Sequence, residues 1–226
     1  AFVIIALSAI PEPHMETPEE KAARLSGTAK KDPHGPMSFR HFVLGAICIF
    51  IYVGVEVGIP NVLQKWLNEV STTAIAGTVA GTYWFLMLIG RLAGAALGAK
   101  VSAKSMLSFA STVGLCLVLG AIFLDPATTV NLPVFDGAKG FAVATVPVNA
   151  ALLVLCGLCT SVMWGGIFNL AVEGLGKYTE KASGIFMALV CGGGILPLLQ
   201  NGIVDWTGSF LTSYWVVIAC LAYMLF

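Results

Sequence analysis

Charge is what this sequence has least of. Only 11% of its 226 residues are charged, with 12 Lys and Arg against 12 Asp and Glu, so the formal net charge is zero. A chain with no basic surplus offers nothing to a phosphate backbone, and nucleic acid is excluded as a partner. Histidine is equally scarce: His14, His34 and His41 all lie in or at the edge of the first polar stretch. With no histidine in the apolar stretches, and no paired acids or nucleophile–base pair there, neither a zinc site nor an intramembrane protease has the groups it needs. The chain reads as no enzyme, with no metal and no cofactor. There is no Asn-x-Ser/Thr sequon, and Gly174-Leu-Gly-Lys177 lacks the upstream glycine and following hydroxyl of a phosphate loop. Six cysteines, Cys48, Cys116, Cys156, Cys159, Cys191 and Cys220, sit inside apolar runs. Cys156-Gly-Leu-Cys159 has redox spacing without the solvent-accessible helix start that redox chemistry needs, so all six read as small packing residues.

What the sequence has in plenty is apolar length. Hydrophobic residues make up 58% and mean hydropathy is +0.89, values of a polytopic membrane protein. Residues 1–10 read as the end of a preceding transmembrane helix, and residues 11–40 as a polar loop. Within that loop Thr17-Pro18-Glu19-Glu20 carries an N-cap, a first-turn proline and a capping-box acid, the start of a short surface helix. Transmembrane spans come next at about 41–66, 74–98, 104–124, 147–172, 182–204 and 210–226, which predicts an all-α, six-helix membrane bundle for residues 41–226. The chain opens inside one apolar run and stops inside another, so the expectation is a fragment of a larger protein. Lys21, Arg24, Lys30, Lys31, Arg40, Arg91, Lys100, Lys104, Lys177 and Lys181 fall on one side of the predicted spans, leaving Lys65 and Lys139 on the other. The positive-inside rule puts residues 11–40 in the cytoplasm of a multi-pass protein in the inner (plasma) membrane, with lipid as its surroundings. On the outer side, residues 131–135 and 140–146 flank Asp136-Gly137, a hairpin signal.

The chemistry concentrates around one acid. Glu56 lies in the middle of the first span, where an ionised carboxylate costs at least about 2.5 kcal/mol. At ~100° per residue Tyr52, Glu56, Pro60 and Gln64 share an arc about 120° wide. Gly54, Gly58 and Pro60 thin and kink the helix beside the acid, suggesting a cavity wall. The plainer reading is a carboxylate satisfied by Tyr52 or a neighbouring helix. In the second span the ladders Gly77-x-x-x-Gly81 and Gly90-x-x-x-Gly94-x-x-x-Gly98 permit close helix approach, as tight packing or as a sliding surface. Tyr83 and Trp84 could line a pocket in its outer half. Arg91, about two turns from the cytoplasmic end, is placed to snorkel or to gate. The fourth span brings Thr160, Ser161 and Trp164 to mid-membrane with Asn169 below, and Gly165-Gly166 leaves space beside the indole. Trp164 reads as a cavity-lining platform or a packing residue, and Asn169 as a ligand-binding group or a helix bridge. The fifth span is expected to break at Gly192-Gly193-Gly194 and Pro197 and then reaches Gln200 and Asn201; interrupted helices at mid-membrane mark transporter sites. Asn61, Gln64 and Asn201, nearer the outer end, read as gate or interface residues. The third and sixth spans carry only Ser, Thr, Cys and their like as polar groups, and suit lipid-facing positions.

With these residues in view, the chain resembles the C-terminal half of a major facilitator superfamily sugar transporter, in the fucose permease and glucose/galactose transporter family. The carrying residues are Tyr52-Val-Gly-Val-Glu56-Val-Gly, Tyr83-Trp84 with Gly90-Arg91, Met163-Trp-Gly-Gly-Ile-Phe-Asn169, Gly174-Leu-Gly-Lys177, Ser183-Gly184 and Gly192-Gly-Gly-Ile-Leu-Pro197. Many relatives have Phe-Pro-x-Ile-Phe where this chain has Trp164-Gly165-Gly166-Ile167-Phe168. The resemblance implies that the first, second, fourth and fifth spans face a central cavity and that the third and sixth face lipid. It further implies uptake of a hexose or deoxyhexose, driven by a proton or another cation, with alternating access between this half and an N-terminal six-helix half. In the fucose branch an acid on that other half is a main coupling candidate beside Glu56. The alternative is a non-transporting sugar receptor or channel on the same fold.

Overall fold

The computed structural model describes residues 34–98, 100–136 and 140–225. The expected end of a preceding helix (1–10) and the surface helix after Thr17 lie outside the described residues. From Pro36 onward the chain forms one unit. A 3-10 turn at Pro36–Ser38 leads into α1 (Arg40–Val70), then α2 (Thr73–Leu97) and α3 (Ala103–Phe123). The hairpin β1 (Thr129–Asp136) and β2 (Gly140–Pro147) comes next, then α4 (Val148–Thr160) and α5 (Met163–Val172). A 3-10 turn at Gly176–Tyr178 precedes α6 (Thr179–Ala188); another at Leu189–Cys191 precedes α7 (Gly192–Thr207), and α8 (Phe210–Leu225) ends the described chain. Joining α4 with α5 and α6 with α7 gives the six expected spans. Five of them, Arg40–Val70, Thr73–Leu97, Ala103–Phe123, Val148–Val172 and Gly176–Thr207, are long and apolar enough to cross a membrane.

The connections are set by short polar signals. Thr72 caps α2 by accepting from the Ile75 amide at 3.3 Å, and Ser102 caps α3 by accepting from Ser105 at 3.2 Å. Gly208 ends α7 in the left-handed conformation at φ 67°, where a glycine carries no Cβ penalty. The hairpin forms as the sequence predicts, antiparallel with Phe135 opposite Phe141. It is fastened to the N-terminal half of α2 as far as its midpoint: the Phe135 amide donates to Thr82 Oγ1 at 2.9 Å, and the Phe135 and Phe85 rings stack at 4.4 Å. Asn149, fully buried, donates to the Ala121 and Leu124 carbonyls and so satisfies the frayed end of α3.

Helix α1 is the axis of the bundle, packed against α7, α5, α2, α8 and α4. Its glycines do not open a cavity wall. A Cβ at Gly54 would collide with Leu196 and one at Gly58 with Gln200, so this face exists to let α7 come close. Pro60 is accommodated inside an unbroken helix of 31 residues, and beside it the Tyr214 hydroxyl of α8 donates to the Ile59 carbonyl at 2.9 Å. The α2 ladder has an equally specific use. Cβ atoms at Gly90 and Gly94 would meet Ser161 and Val162, the two residues between α4 and α5, so the ladder seats a helix break rather than a smooth sliding face.

Candidate functional site

Two cavities meet at Arg91, and between them they gather Glu56, Arg91, Ser161, Trp164 and Asn169 of the residues expected to act. One, of about 460 Å³, is lined by Val53, Glu56, Arg91, Ser161, Trp164, Gly165 and Val190. The other, of about 320 Å³, shares Arg91, Ser161 and Gly165 and continues past Gly94 and Met106 to Asn169 and the α2–α3 turn. The cleft therefore runs from the middle of α1 toward the end of the bundle that holds the Gly98–Ala103 turn. It is walled by α1, α2 and the α4–α5 span, with Val190 from the 3-10 turn before α7 and Ala103 and Met106 from α3.

At its centre, Arg91 Nη2 donates to Glu56 Oε1 at 2.8 Å. The Glu56 side chain is 10% exposed and that of Arg91 53%, so the acid is held in the wall and the guanidinium stands in the opening. Snorkelling toward the cytoplasmic surface is not what Arg91 does. Side chains lean toward the N-terminus of their helix. Arg91 lies further from the α1–α2 turn than Glu56 does, so on these antiparallel helices each side chain, leaning toward its own helix start, leans toward the other. That geometric rule, applied to the predicted spans, would have found a partnership that the sequence reading missed.

Trp164 is half-buried, its ring held by edge contacts to Tyr52 at 6.2 Å and Phe186 at 6.0 Å. Beside it Gly165 has nothing within 4 Å of where a Cβ would stand, so the expected open space is present. The span breaks between Thr160 and Met163, which places Ser161 in the cavity wall, while Asn169 lines the continuation of the cleft.

Other expected residues lie elsewhere. Tyr52 and Tyr83 are fully buried rather than cavity-lining: the Tyr52 hydroxyl donates to the Thr160 carbonyl at 3.0 Å, and the Tyr83 hydroxyl bonds Thr160 Oγ1 at 2.9 Å. These bonds tie α1 and α2 to the last turn of α4, whose end groups the break has freed. Trp84 points outward, 43% exposed, with its ring edge against Tyr83. Asn61, Gln64 and Asn201 stand in the C-terminal parts of α1 and α7. Asn201 donates to Asn61 Oδ1 at 3.2 Å and accepts from Lys65 at 2.8 Å, a side-chain link between α1 and α7; Gln64 is exposed. Pro60 is buried in the α1 core.

The fifth span breaks one turn earlier than expected. The irregular turn is Leu189–Cys191, and α7 then runs from Gly192 through Gly193, Gly194 and Pro197 without interruption. Pro197, the sixth residue of α7, gives up its own amide bond without ending the helix, and the glycines supply closeness: Cβ atoms at Gly192 and Gly193 would strike Phe50 and Val53, whereas Gly194 faces open space. Gln200, 1% exposed against Gly58 and with its Nε2 unpartnered, is a buried polar group for which the sequence reading assigned no role.

A helix bundle of this order, with its cleft beside a mid-span acid, has the fold of one half of a major facilitator superfamily transporter. The solved structure of such a transporter, FucP in the outward conformation, superposes with a TM-score of 0.73 at 21% identity, over 99% of this chain and 49% of that one. This chain's sequence is similar to that of glucose/galactose transporters over the same span. It is 31% identical over 192 residues to the glucose/galactose transporter of Brucella abortus biovar 1, covering 83% of this chain and 42% of the relative. A putative glucose/galactose transporter of Helicobacter pylori is 30% identical over 99% of this chain and 49% of its own length. The L-fucose-proton symporter of Escherichia coli K12 is 23% identical over 81% of this chain and 38% of its own. The chain thus spans about half the length of the curated relatives it matches. No protein-family model matches it.

Proposed function

We propose that this chain is the cavity-forming C-terminal half of a secondary transporter that imports a hexose or deoxyhexose by cation symport. The proton is the expected cation, and alternating access occurs against an N-terminal six-helix half. The observation that carries this reading is the mid-span cavity in which Glu56, Arg91, Ser161 and Trp164 converge. An indole packs against the C–H face of a sugar ring while hydroxyls and an acid beside it take the sugar's own hydroxyls. The names of the relatives, sugar transporters and a sugar–proton symporter, point the same way.

In this reading Trp164 is the platform, and Ser161 and Asn169 serve the hydroxyls. Glu56 couples substrate to cation, because a carboxylate that can exchange Arg91 for a proton has two states for a gradient to drive. Arg91 guards the passage to the inner part of the cleft, and Asn61, Gln64 and Asn201 work at the outer one. The α6–α7 turn ahead of Gly192, Gly193, Gly194 and Pro197 supplies the bend, with Pro60 its counterpart on α1. Tyr52, Tyr83 and Trp84 support the wall from behind.

The test is Glu56→Gln in the complete transporter, reconstituted in vesicles. The amide keeps the size and hydrogen bonding and removes titration. Concentrative uptake should collapse while counterflow exchange partly survives. Accumulation like that of the parent across about pH 6–8, a range spanning the ordinary histidine region and lying above the ordinary carboxyl one, would sink the coupling role.

A further inference from the structure

We infer that the Glu56–Arg91 pair is a charge filter: it keeps this half of the cavity electrically balanced and so admits neutral sugars while turning away sugar carboxylates and phosphates. The inference rests on the sugar reading above and deepens it to a substrate class.

Among the described residues, Glu56 and Arg91 are the only charged side chains lining either cavity. While Glu56 is ionised they neutralise each other across 2.8 Å, and in that state this wall presents polar groups without net charge. The two partners are not equally placed. Arg91 spends Nη2 on Glu56, with the Met87 sulfur 3.7 Å from the same nitrogen, and its half-exposed side chain lines both cavities with donors to spare. Those donors are what a carboxylate or phosphate would seek. An anionic sugar on them would set a second negative group beside Glu56, whose side chain is 10% exposed, with one guanidinium left to balance two charges. A neutral hydroxyl accepts from the same donors and leaves the pair intact.

A cationic amino sugar meets a smaller obstacle. It would displace Arg91 from Glu56, and Arg91, 53% exposed, is left in a more solvated position than the acid would be. The filter is therefore asymmetric: anions are rejected more strongly than cations, because the buried member of the pair is the acid. Discrimination of this kind comes from an unfavourable contact with the wrong ligand rather than a better contact with the right one.

The experiment uses the full-length transporter in vesicles, with counterflow of radiolabelled galactose as the readout. The competitors are galacturonate, its methyl ester and galactosamine. The ester keeps the shape of the acid and removes its charge. It should compete much as galactose does, with galacturonate about tenfold weaker or more and galactosamine in between. In Glu56→Gln the gap between acid and ester should close or invert, because Arg91 is then unopposed; with Arg91→Gln added, galacturonate should lose that gain. Galacturonate competing as well as its ester in the parent overturns the filter, and this comparison stands even where the variants fail to fold. So does a gap unchanged in a Glu56→Gln protein that still exchanges galactose. If no sugar exchanges in the parent, the sugar reading and the filter fall together; if galactose exchanges without charge discrimination, only the filter falls.

Discussion

Two spans of this bundle are interrupted near their middles, and they use the interruption in opposite ways. Between α4 and α5 the break holds Ser161 and Val162, is seated on Gly90 and Gly94 of α2, and turns Ser161, Trp164 and Gly165 toward the cleft. Between α6 and α7 the break is Leu189–Cys191, and only Val190 reaches the cavity. Immediately after this second break, Gly192 and Gly193 close tightly on α1. A helix break is therefore not by itself a binding site. It offers a candidate site when a small-residue groove fixes it from behind and polar or aromatic side chains are left to face the opening; without them it is a bend that lets two helices touch.

The largest effect should come from the tight side of the comparison. Gly192→Ala places a methyl against the Phe50 carbonyl, a backbone group that cannot rotate away. It should destabilise by about 3 kcal/mol or more, read as a lower melting temperature and loss of monodisperse protein in detergent. Gly194→Ala, two residues on and facing open space, should stay within about 0.5 kcal/mol. Equal behaviour of the two would mean that the glycines act together as a flexible hinge and not as a seam.

On the open side, Trp164→Ala should weaken sugar binding about tenfold and Trp164→Phe about twofold, the scale of an aromatic contact. Quenching of tryptophan fluorescence by bound sugar measures the parent, and competition in counterflow measures the variants. Normal affinity in Trp164→Ala moves the sugar away from the α4–α5 break. Behind the wall, Tyr83→Phe removes one hydroxyl bond to Thr160 and should cost about 1 kcal/mol of stability. Sugar affinity should be little changed, because Tyr83 does not face the cleft. A large loss of affinity with stability unchanged would put the tyrosine in the site after all. The smallest effect on stability belongs to Gly165→Ala, within about 0.5 kcal/mol because nothing lies near the new methyl. The methyl should still narrow the cavity, raising KM for a hexose more than it slows transport at saturation. An unchanged KM would show that substrate does not approach this side of Trp164.

Sequence alone determined the spans, their order and the outer hairpin. Apolar length and the spacing of caps and turn residues are local properties, and a bilayer-length run has little choice but helix. It also marked Glu56 and Trp164, since a mid-span acid and an indole beside two glycines are conspicuous in isolation. The pairing of Glu56 with Arg91 was decided by tertiary structure: residues 35 positions apart meet only because α1 and α2 run antiparallel and each side chain leans toward its own helix start. The same holds for the tyrosines. Tyr52 and Tyr83 look like cavity residues on a helical wheel, yet the α4 break frees the Thr160 carbonyl for the Tyr52 hydroxyl, and the Tyr83 hydroxyl bonds the Thr160 side chain beside it. The meaning of each glycine was likewise out of reach of the sequence. Whether Gly58, Gly192 or Gly165 marks a kink, a seam or an opening depends on what stands opposite, and only the packed bundle puts Gln200, Phe50 or empty space in that place.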